Sequence, residues 1–146
     1  MNLNVRQITH NTPEYADHVA LRQQVLRDPL GLQITDEEKA QDAAHIMIAA
    51  FHSKQMVGCL VLTPLSAHSV KMRGVAVEPN AQGGGIGTAM VRYSERVAVE
   101  YGFQEMVLNA RETAVGFYTK LGYEIVGEPF IEVTLPHREM RKSLTD

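Results

Sequence analysis

The sequence predicts a mixed α/β fold in which an antiparallel meander of strands is followed by a β-α-β-α-β segment. Three observations lead to this prediction. The chain has 146 residues, 45% apolar and 21% charged, which suits one domain over 1–146 at roughly 100–200 residues per domain. Strand-like runs follow one another across short turns in the first half. The second half alternates strand-like and helix-like periods.

The charge and the cysteine content disfavour several classes of function. With 14 Lys and Arg against 17 Asp and Glu, the net charge of -3 disfavours nucleic acid or an anionic membrane as the main partner. The single cysteine, Cys59, excludes an internal disulfide and a cysteine-based zinc site. The sequence has no signal-like start and no apolar run near the roughly 20 residues of a membrane span. We therefore expect a cytoplasmic protein without a membrane partner.

The first half contains a strand, a helix and a three-stranded meander. Pro13 suits a first helical turn with Thr12 as its cap, and the sequence Asp28-Pro29-Leu30-Gly31 ends the helix. A polar stretch over 33–42 follows. Ser53-Lys54 joins two apolar runs as a hairpin turn, although the strong Asn-Gly signal is missing. In order, we predict a strand over 3–9, a helix over 13–27 and strands over 45–52, 55–63 and 69–77.

The second half alternates helices and strands. A glycine-rich loop leads into a helix that Gly102 ends, and a later helix ends at Gly122. Because strand, helix, strand, helix and strand follow in short succession, we expect parallel pairing with crossover helices. In order, we predict a helix over 86–101, a strand over 104–108, a helix over 112–121 and a strand over 123–126.

The loop between Glu78 and Gly85 is the most informative segment. A buried strand leads into it and a helix follows directly, so backbone N–H groups and the positive end of the helix converge there. This arrangement suits a phosphate, and glycine lets the phosphate approach the backbone and permits positive φ. The alternative is a flexible turn whose glycines only allow the helix to pack against the sheet.

Two common phosphate-binding patterns do not fit this loop. A Walker loop needs Lys and then Ser or Thr after its last glycine, but Gly87 is followed by Thr88 and no lysine is present. A dinucleotide loop needs a third small residue where this chain has Met90, which disfavours an NAD-dependent oxidoreductase. The remaining pattern is Gln82-x-x-Gly85-x-Gly87.

That pattern, preceded by Met72-Arg73-x-Val75-Ala76-Val77, resembles the acyl-CoA binding motif of the GNAT superfamily of N-acetyltransferases. The segment 109–123, with Phe117-Tyr118-x-x-Leu121-Gly122-Tyr123 at its end, resembles the next block of the same family. The resemblance implies the GNAT-like acyl-CoA N-acyltransferase fold. It also implies direct acetyl transfer from acetyl-CoA, as cosubstrate, to a primary amine of a small molecule or peptide, with no metal. The alternative is a non-catalytic module that binds or senses acyl-CoA.

The resemblance also implies which residues hold the donor. Loop amides in the family bind the pyrophosphate, and the strand before the loop pairs through its main chain with the pantetheine arm. Asn109 resembles a family residue that hydrogen-bonds the pantetheine or an ordered water; a strand-end cap is the alternative. The residues so implied are Val75, Val77, Gln82, Gly83, Gly85, Gly87, Thr88 and Asn109.

Tyr118 resembles the usual general acid of the family. Amine attack on a thioester expels a thiolate whose conjugate acid has a pKa of about 8.5, and a phenol with a pKa of about 10 beside the sulfur can supply the proton. The alternative is an aromatic side chain that fills the groove between helix and sheet, the role we expect for Phe117 and Tyr123.

The residue that removes a proton from the amine has two candidates. An alkyl ammonium has a pKa of roughly 10, so a base must act before attack. Glu78 directly follows the strand before the loop, and His137 follows a late apolar run and titrates near neutrality. The alternatives are a solvated carboxylate, a structural histidine and a water that acts as base.

The acceptor cannot be derived from the charges near the first helix. The run Asp36-Glu37-Glu38, with Asp42 beyond it, favours a cationic amine, whereas Arg22 and Arg27 favour an anionic acceptor. His45 and His52 bracket an apolar run without a carboxylate pattern, which disfavours a metal site. We expect Cys59 to be a buried small hydrophobe and a late exposed strand to be able to pair two subunits as a homodimer.

Overall fold

The computed structural model describes residues 3–145, which contain seven β-strands and four α-helices. Their bounds are β1 (Leu3–Ile8), α1 (Pro13–Arg22), α2 (Asp36–Gln41), β2 (Ile46–His52), β3 (Gln55–Pro64), β4 (Ser69–Val77), α3 (Ile86–Glu100), β5 (Glu105–Arg111), α4 (Val115–Lys120), β6 (Glu124–Glu132) and β7 (Leu135–Ser143). The strands form one sheet in the order β1-β2-β3-β4-β5-β7-β6. The predicted mixed α/β fold is confirmed.

The last strand, β7, is missing from the sequence prediction. It lies between β5 and β6 and is antiparallel to both, so the expected parallel pairing of the last two predicted strands is wrong. The turn that leads into β7 consists of Val133 and Thr134, both at positive φ (47° and 67°). Hairpin turns usually use Gly, Asn or Asp at such positions. Two β-branched residues there gave no turn signal.

One compact unit comprises the chain up to Thr63 together with Gly74–Ser94. In it, β1 pairs with β2 and β2 with β3, all antiparallel. Residues of β2 and β3 are almost entirely buried, so both strands are apolar on both faces. Leu21 of α1 packs in a cluster with Cys59 of β3 and Ala76 of β4.

A second compact unit comprises Pro64–Arg73 and the chain from Glu95 onwards. Here the first residues of β4 pair parallel with β5, from Ser69 opposite Glu105 to Met72 opposite Leu108. Met140 of β7 is fully buried opposite Leu108. The prediction of a single domain over 1–146 stays a prediction.

The start and end of the first helix differ in part from the prediction. Thr12 occupies the cap position, but its hydroxyl donates to the Thr9 carbonyl (2.7 Å) and makes no cap hydrogen bond. The helix continues beyond α1 as a π-helical turn over Gln23–Arg27 and a 3-10 turn over Asp28–Leu30. Gly31, at φ 69°, ends it as predicted.

Helix α2 lies within the polar stretch over 33–42, for which no helix is predicted from the sequence. Thr35 and Glu38 form a capping box: the Glu38 amide donates to the Thr35 hydroxyl (3.1 Å) and the Thr35 amide donates to the Glu38 carboxylate (3.1 Å). The Thr-x-x-Glu pattern is a helix-start signal that was available in the sequence. Within residues 3–145, no helix combines the length and the apolar character that crossing a bilayer requires.

Candidate active site

The glycine loop follows β4 and has the backbone conformation that the sequence analysis expected. Gly83 and Gly85 have φ values of 85° and 83°, in the left-handed region that side chains disfavour. A Cβ atom added to either residue would meet no atom within 4 Å. The backbone conformation, and not crowding, therefore requires glycine at these positions, and the space beside them is open.

Hydrogen bonds fix the loop on both sides of Glu78. The Glu78 amide donates to the Val57 carbonyl (2.8 Å), and the Glu78 carboxylate accepts from the Asn80 amide (2.8 Å). The Gln82 side-chain amide donates to the Val77 carbonyl (3.1 Å). These contacts define the conformation of the loop within the protein itself. They also give Glu78 a structural role as the cap of a short 3-10 turn over Pro79–Ala81.

Helix α3 begins immediately after Gly85, and its first turn contains Gly87 and Thr88. The first amides of a helix have no acceptor in the helix itself, and they lie at the positive end of its dipole. Buried Met90 anchors the helix: a Cβ atom on Gly58 of β3 would come within 2.8 Å of the Met90 side chain. Met90, the residue that breaks the dinucleotide pattern, thus fills space above Gly58.

Val75 and Val77 lie on β4 on either side of Ala76. Ala76 is buried (2% exposed) against Leu21 and Cys59, whereas both valines are half-buried. Alternate residues of a strand point to opposite faces, so the valines share the face opposite Ala76. Their predicted role depends on main-chain groups, and of these the Val77 carbonyl already accepts from the Gln82 side chain.

Tyr118 lies on α4 and is 7% exposed. Its ring makes edge contacts with Phe117 and Tyr123, at centroid distances of 4.9 and 5.8 Å and interplanar angles of 77°. Burial raises the pKa of Tyr118 to about 12, so the phenol holds its proton at neutral pH. Within residues 3–145 its hydroxyl has no hydrogen-bond partner. The group is therefore protonated and available to donate.

The two aromatic neighbours of Tyr118 differ in their surroundings. Tyr123 is 1% exposed and fills the core as expected, and its hydroxyl donates to the Glu95 carboxylate (2.9 Å). Burial and the negative charge of Glu95 raise the pKa of Tyr123 further. Phe117 is 36% exposed, so the expectation that it fills a groove is wrong. Residue 117 lies on the outer side of the short helix.

Asn109 lies within β5 and not after it, because this strand extends to Arg111. Its side-chain amide donates to the Glu132 carboxylate of β6 (2.9 Å). The alternative role of Asn109 as a strand-end cap is therefore wrong, and its amide already has a partner in the protein.

His137 lies on β7, is 4% exposed and faces Arg111 and Phe130 in the two neighbouring strands. Its Nδ1 is 2.8 Å from the Leu135 carbonyl, and its ring stacks on that of Phe130 at 6.0 Å. A carbonyl only accepts, so Nδ1 carries the proton. The neutral ring then has its lone pair on Nε2, the form that can act as a base.

Four of the charges at and after the first helix form two ion pairs. Arg22 donates to the Asp42 carboxylate (2.8 Å), which also accepts from the Tyr15 hydroxyl (2.8 Å). Arg27 donates to the Glu38 carboxylate (2.7 Å) and lowers the pKa of Glu38 to about 2. Both arginines of the conflicting set are thus paired with a carboxylate of that set, so their charges do not indicate an anionic acceptor.

A buried polar group that the sequence analysis missed is His18 of α1. It is fully buried, and its Nε2 donates to the carbonyls of Ile48 (3.1 Å) and Leu60 (3.0 Å). Burial lowers the pKa of His18 to about 4. Its place among the apolar residues of α1 at helical spacing was the available signal. Cys59 is buried as expected, and burial raises the pKa of its thiol to about 12, which leaves it unsuited to nucleophilic chemistry.

The structure distributes the predicted site residues over the two compact units. Glu78 and the donor residues of β4, the loop and α3 belong to the first unit, whereas Asn109, Tyr118 and His137 belong to the second. Among residues 3–145, no three His, Cys, Asp or Glu side chains lie together as ligands of a metal ion would.

Three comparisons with known proteins agree with this arrangement. A model of the acetyltransferase (GNAT) family matches residues 10–123. The protein "Putative acetyltransferase BSU40680" of Bacillus subtilis (strain 168) is 30% identical over 145 residues, or 96% of each chain.

Solved structures show the same fold. An aminoglycoside 6'-N-acetyltransferase complexed with coenzyme A has a TM-score of 0.80 at 20% identity, with 98% of each chain covered. A GNAT family acetyltransferase from Elizabethkingia anophelis with acetyl-CoA bound has a TM-score of 0.71 at 21% identity, with 96% of this chain and 95% of that chain covered. At these identities the likeness establishes the fold alone.

Proposed function

Because the chain belongs to the acetyltransferase (GNAT) family, we propose that it transfers an acetyl group from acetyl-CoA directly to a primary amine of a small molecule or peptide. The observation that carries this proposal is Tyr118. Its phenol is buried, protonated and without a hydrogen-bond partner within residues 3–145. A protonated phenol with no acceptor in the described part of the chain is free to donate to a ligand, which supports the role of proton donor to the departing thiolate.

The donor binds, in this proposal, at the glycine loop and the start of α3. The amides of Gly83, Gly85, Gly87 and Thr88, with the Gln82 segment, hold the pyrophosphate, and the positive end of α3 adds to the attraction. The positive φ values and the open space at Gly83 and Gly85 support this assignment. Val75 and Val77 pair through their main chain with the pantetheine arm. The role of Asn109 toward the pantetheine is weakened by its bond to Glu132.

The chemical step consists of one bond made and one bond broken. The neutral amine nitrogen attacks the thioester carbonyl, the new C–N bond forms, and the C–S bond breaks with its electron pair remaining on sulfur. Tyr118 gives its proton to this sulfur. The acylated nitrogen loses its second proton to solvent as the amide forms, and Tyr118 regains a proton from solvent, so the protons balance. The proton that the ammonium loses before attack goes to a base. Glu78, His137 and a water are the candidates, and the lone pair on Nε2 favours His137 over the capped Glu78 carboxylate.

The alternative is a module that binds acyl-CoA without catalysis. The experiment that separates the two measures coenzyme A release from acetyl-CoA with a panel of amines. The panel contains aminoglycosides, in view of the named activity of one structural relative, and polyamines, amino acids and amine-bearing peptides. We expect release with at least one amine class. Coenzyme A binding with no release across the whole panel would instead establish the sensor.

A homodimer and a cytoplasmic location stay predictions. The edge strand β6 exposes Ile125, Val126 and Ile131, which favours pairing with a second copy. Symmetric antiparallel pairing centred on Glu128 would place Glu128 opposite its own copy and Glu124 opposite Glu132, and Pro129 has no N–H to donate. A dimer would therefore use the exposed side chains of β6 more readily than its backbone edge.

A further inference from the structure

A half-buried charged cluster lies beside the helix that carries Tyr118. The Lys142 ammonium on β7 is 3.0 Å from both carboxylate oxygens of Glu95 on α3. Glu95 also accepts from the Tyr123 hydroxyl (2.9 Å). The side chains of Lys142 and Glu95 are only 23% and 13% exposed, so this ion pair is screened little by water. The neighbouring residue Arg141 also forms ion pairs, but its side chain is 47% exposed, so water screens those pairs more strongly.

Each residue of the segment Leu121-Gly122-Tyr123 contacts Lys142. The ammonium donates to the Leu121 carbonyl (2.8 Å) and lies 5.5 Å from the centre of the Tyr123 ring. Gly122 has a φ of 99°, and a Cβ atom there would come within 3.3 Å of the Lys142 side chain. The glycine thus provides both the helix-ending conformation and the space for the lysine stem.

The same segment fixes Tyr118. The amides of Leu121 and Tyr123 both donate to the Tyr118 carbonyl, at 3.0 and 3.1 Å. The Tyr123 ring contacts the Tyr118 ring edge to face. Tyr118 is therefore held through its backbone by the end of α4 and through its ring by Tyr123, and Lys142 contacts both of these supports.

We propose that Lys142 is a positioning residue for Tyr118: it binds the end of α4 to Glu95 and Tyr123 and so fixes the phenol in the orientation that donates to the thiolate. This inference rests on the proposed acid role of Tyr118. Lys142 donates to the Leu121 carbonyl at the end of the six-residue helix α4, and Glu95 binds both Lys142 and the Tyr123 hydroxyl. A displacement of a catalytic group by about 1 Å lowers the reaction rate by up to roughly 100-fold.

The test compares Lys142→Met with Arg141→Met as the matched control. Methionine keeps most of the apolar stem but removes the ammonium. We expect Lys142→Met to lower kcat roughly 10-fold or more while the KM for acetyl-CoA and the Kd for coenzyme A change less than about twofold. Lys142→Arg, which keeps a cation, is expected to restore part of kcat. Arg141→Met is expected to keep the wild-type kcat.

A double-mutant cycle with Tyr118→Phe separates positioning from general destabilisation. If Lys142 acts through Tyr118, adding Lys142→Met to Tyr118→Phe lowers kcat no further. Equal fold-losses in both backgrounds would overturn the inference, as would a wild-type kcat in folded Lys142→Met. If Lys142→Met does not fold, Tyr123→Phe takes its place in the same cycle, because it keeps both ring contacts and loses only the bond to Glu95. A wild-type kcat for Tyr118→Phe alone would instead remove the proposed acid.

Discussion

At the scale of single residues, the proposed role of Tyr118 depends on its acid strength relative to that of the coenzyme thiol. A phenol with a pKa of about 12 is a much weaker acid than an ordinary thiol, whose pKa is about 8.5. Burial, however, penalises every anion, and a thiolate forming next to Tyr118 loses water as well. This loss of water reduces the gap between the two acids, which favours proton transfer from the phenol to the thiolate.

His18 leads to a prediction about acid stability. Its pKa of about 4 in the folded protein lies below its ordinary value of about 6.5, so the unfolded chain takes up the proton first as the pH falls. The free energy of unfolding is therefore unaffected by His18 above pH 6.5 and falls as the pH decreases from 6.5 to 4. Between pH 7 and 4.5 we expect a loss of roughly 2 kcal/mol from this group.

Urea unfolding of the wild type and of His18→Gln at both pH values measures this loss. Glutamine can donate to the same two carbonyls but does not titrate. We therefore expect the free energy of unfolding of His18→Gln to fall by roughly 2 kcal/mol less than that of the wild type between pH 7 and pH 4.5. Other carboxyl and histidine groups cancel in the comparison. Equal differences in the two proteins would show that His18 is not held neutral by burial.

At the scale of elements, the glycine loop leads to a prediction about donor binding. Valine at position 85 would have to adopt a φ of 83°, which costs on the order of 1–2 kcal/mol, or else rotate the amides away. We expect Gly85→Val to abolish measurable coenzyme A binding in calorimetry. Gly102→Val is the matched control: at φ 92° after the other end of α3 it is equally strained, and we expect it to bind normally. Undiminished binding by Gly85→Val would refute the pyrophosphate assignment.

Elements with a local sequence pattern could be predicted, whereas contacts between residues far apart in the sequence could not. The bounds of β4, the glycine loop and α3 follow from local periodicity and glycine positions, which the sequence displays directly. The strand β7 was missed because Val133 and Thr134 form its turn against their preference. Glu95 and Lys142 were missed because they are 47 residues apart and only the packed sheet brings them together. A polar residue on an apolar helix face, as at His18, indicates a buried polar contact.

At the scale of the whole molecule, the family match ends at residue 123, whereas Lys142 and His137 lie beyond it on β7. The family motifs thus predict the donor loop and Tyr118, and the remaining strands supply the groups that support Tyr118 and the histidine that could serve as base. The paired charges near α1 do not identify the acceptor. The central claim, acetyl transfer with Tyr118 as the proton donor, is therefore best tested by changing Tyr118.

The most direct test measures coenzyme A release by Tyr118→Phe and by the wild type, with saturating acetyl-CoA and an amine identified from the panel. Phenylalanine keeps the ring contacts with Phe117 and Tyr123 and removes only the hydroxyl. We predict a kcat lower by roughly 100-fold or more with an unchanged Kd for coenzyme A. An unchanged kcat would contradict the account, because the thiolate would then take its proton from another source.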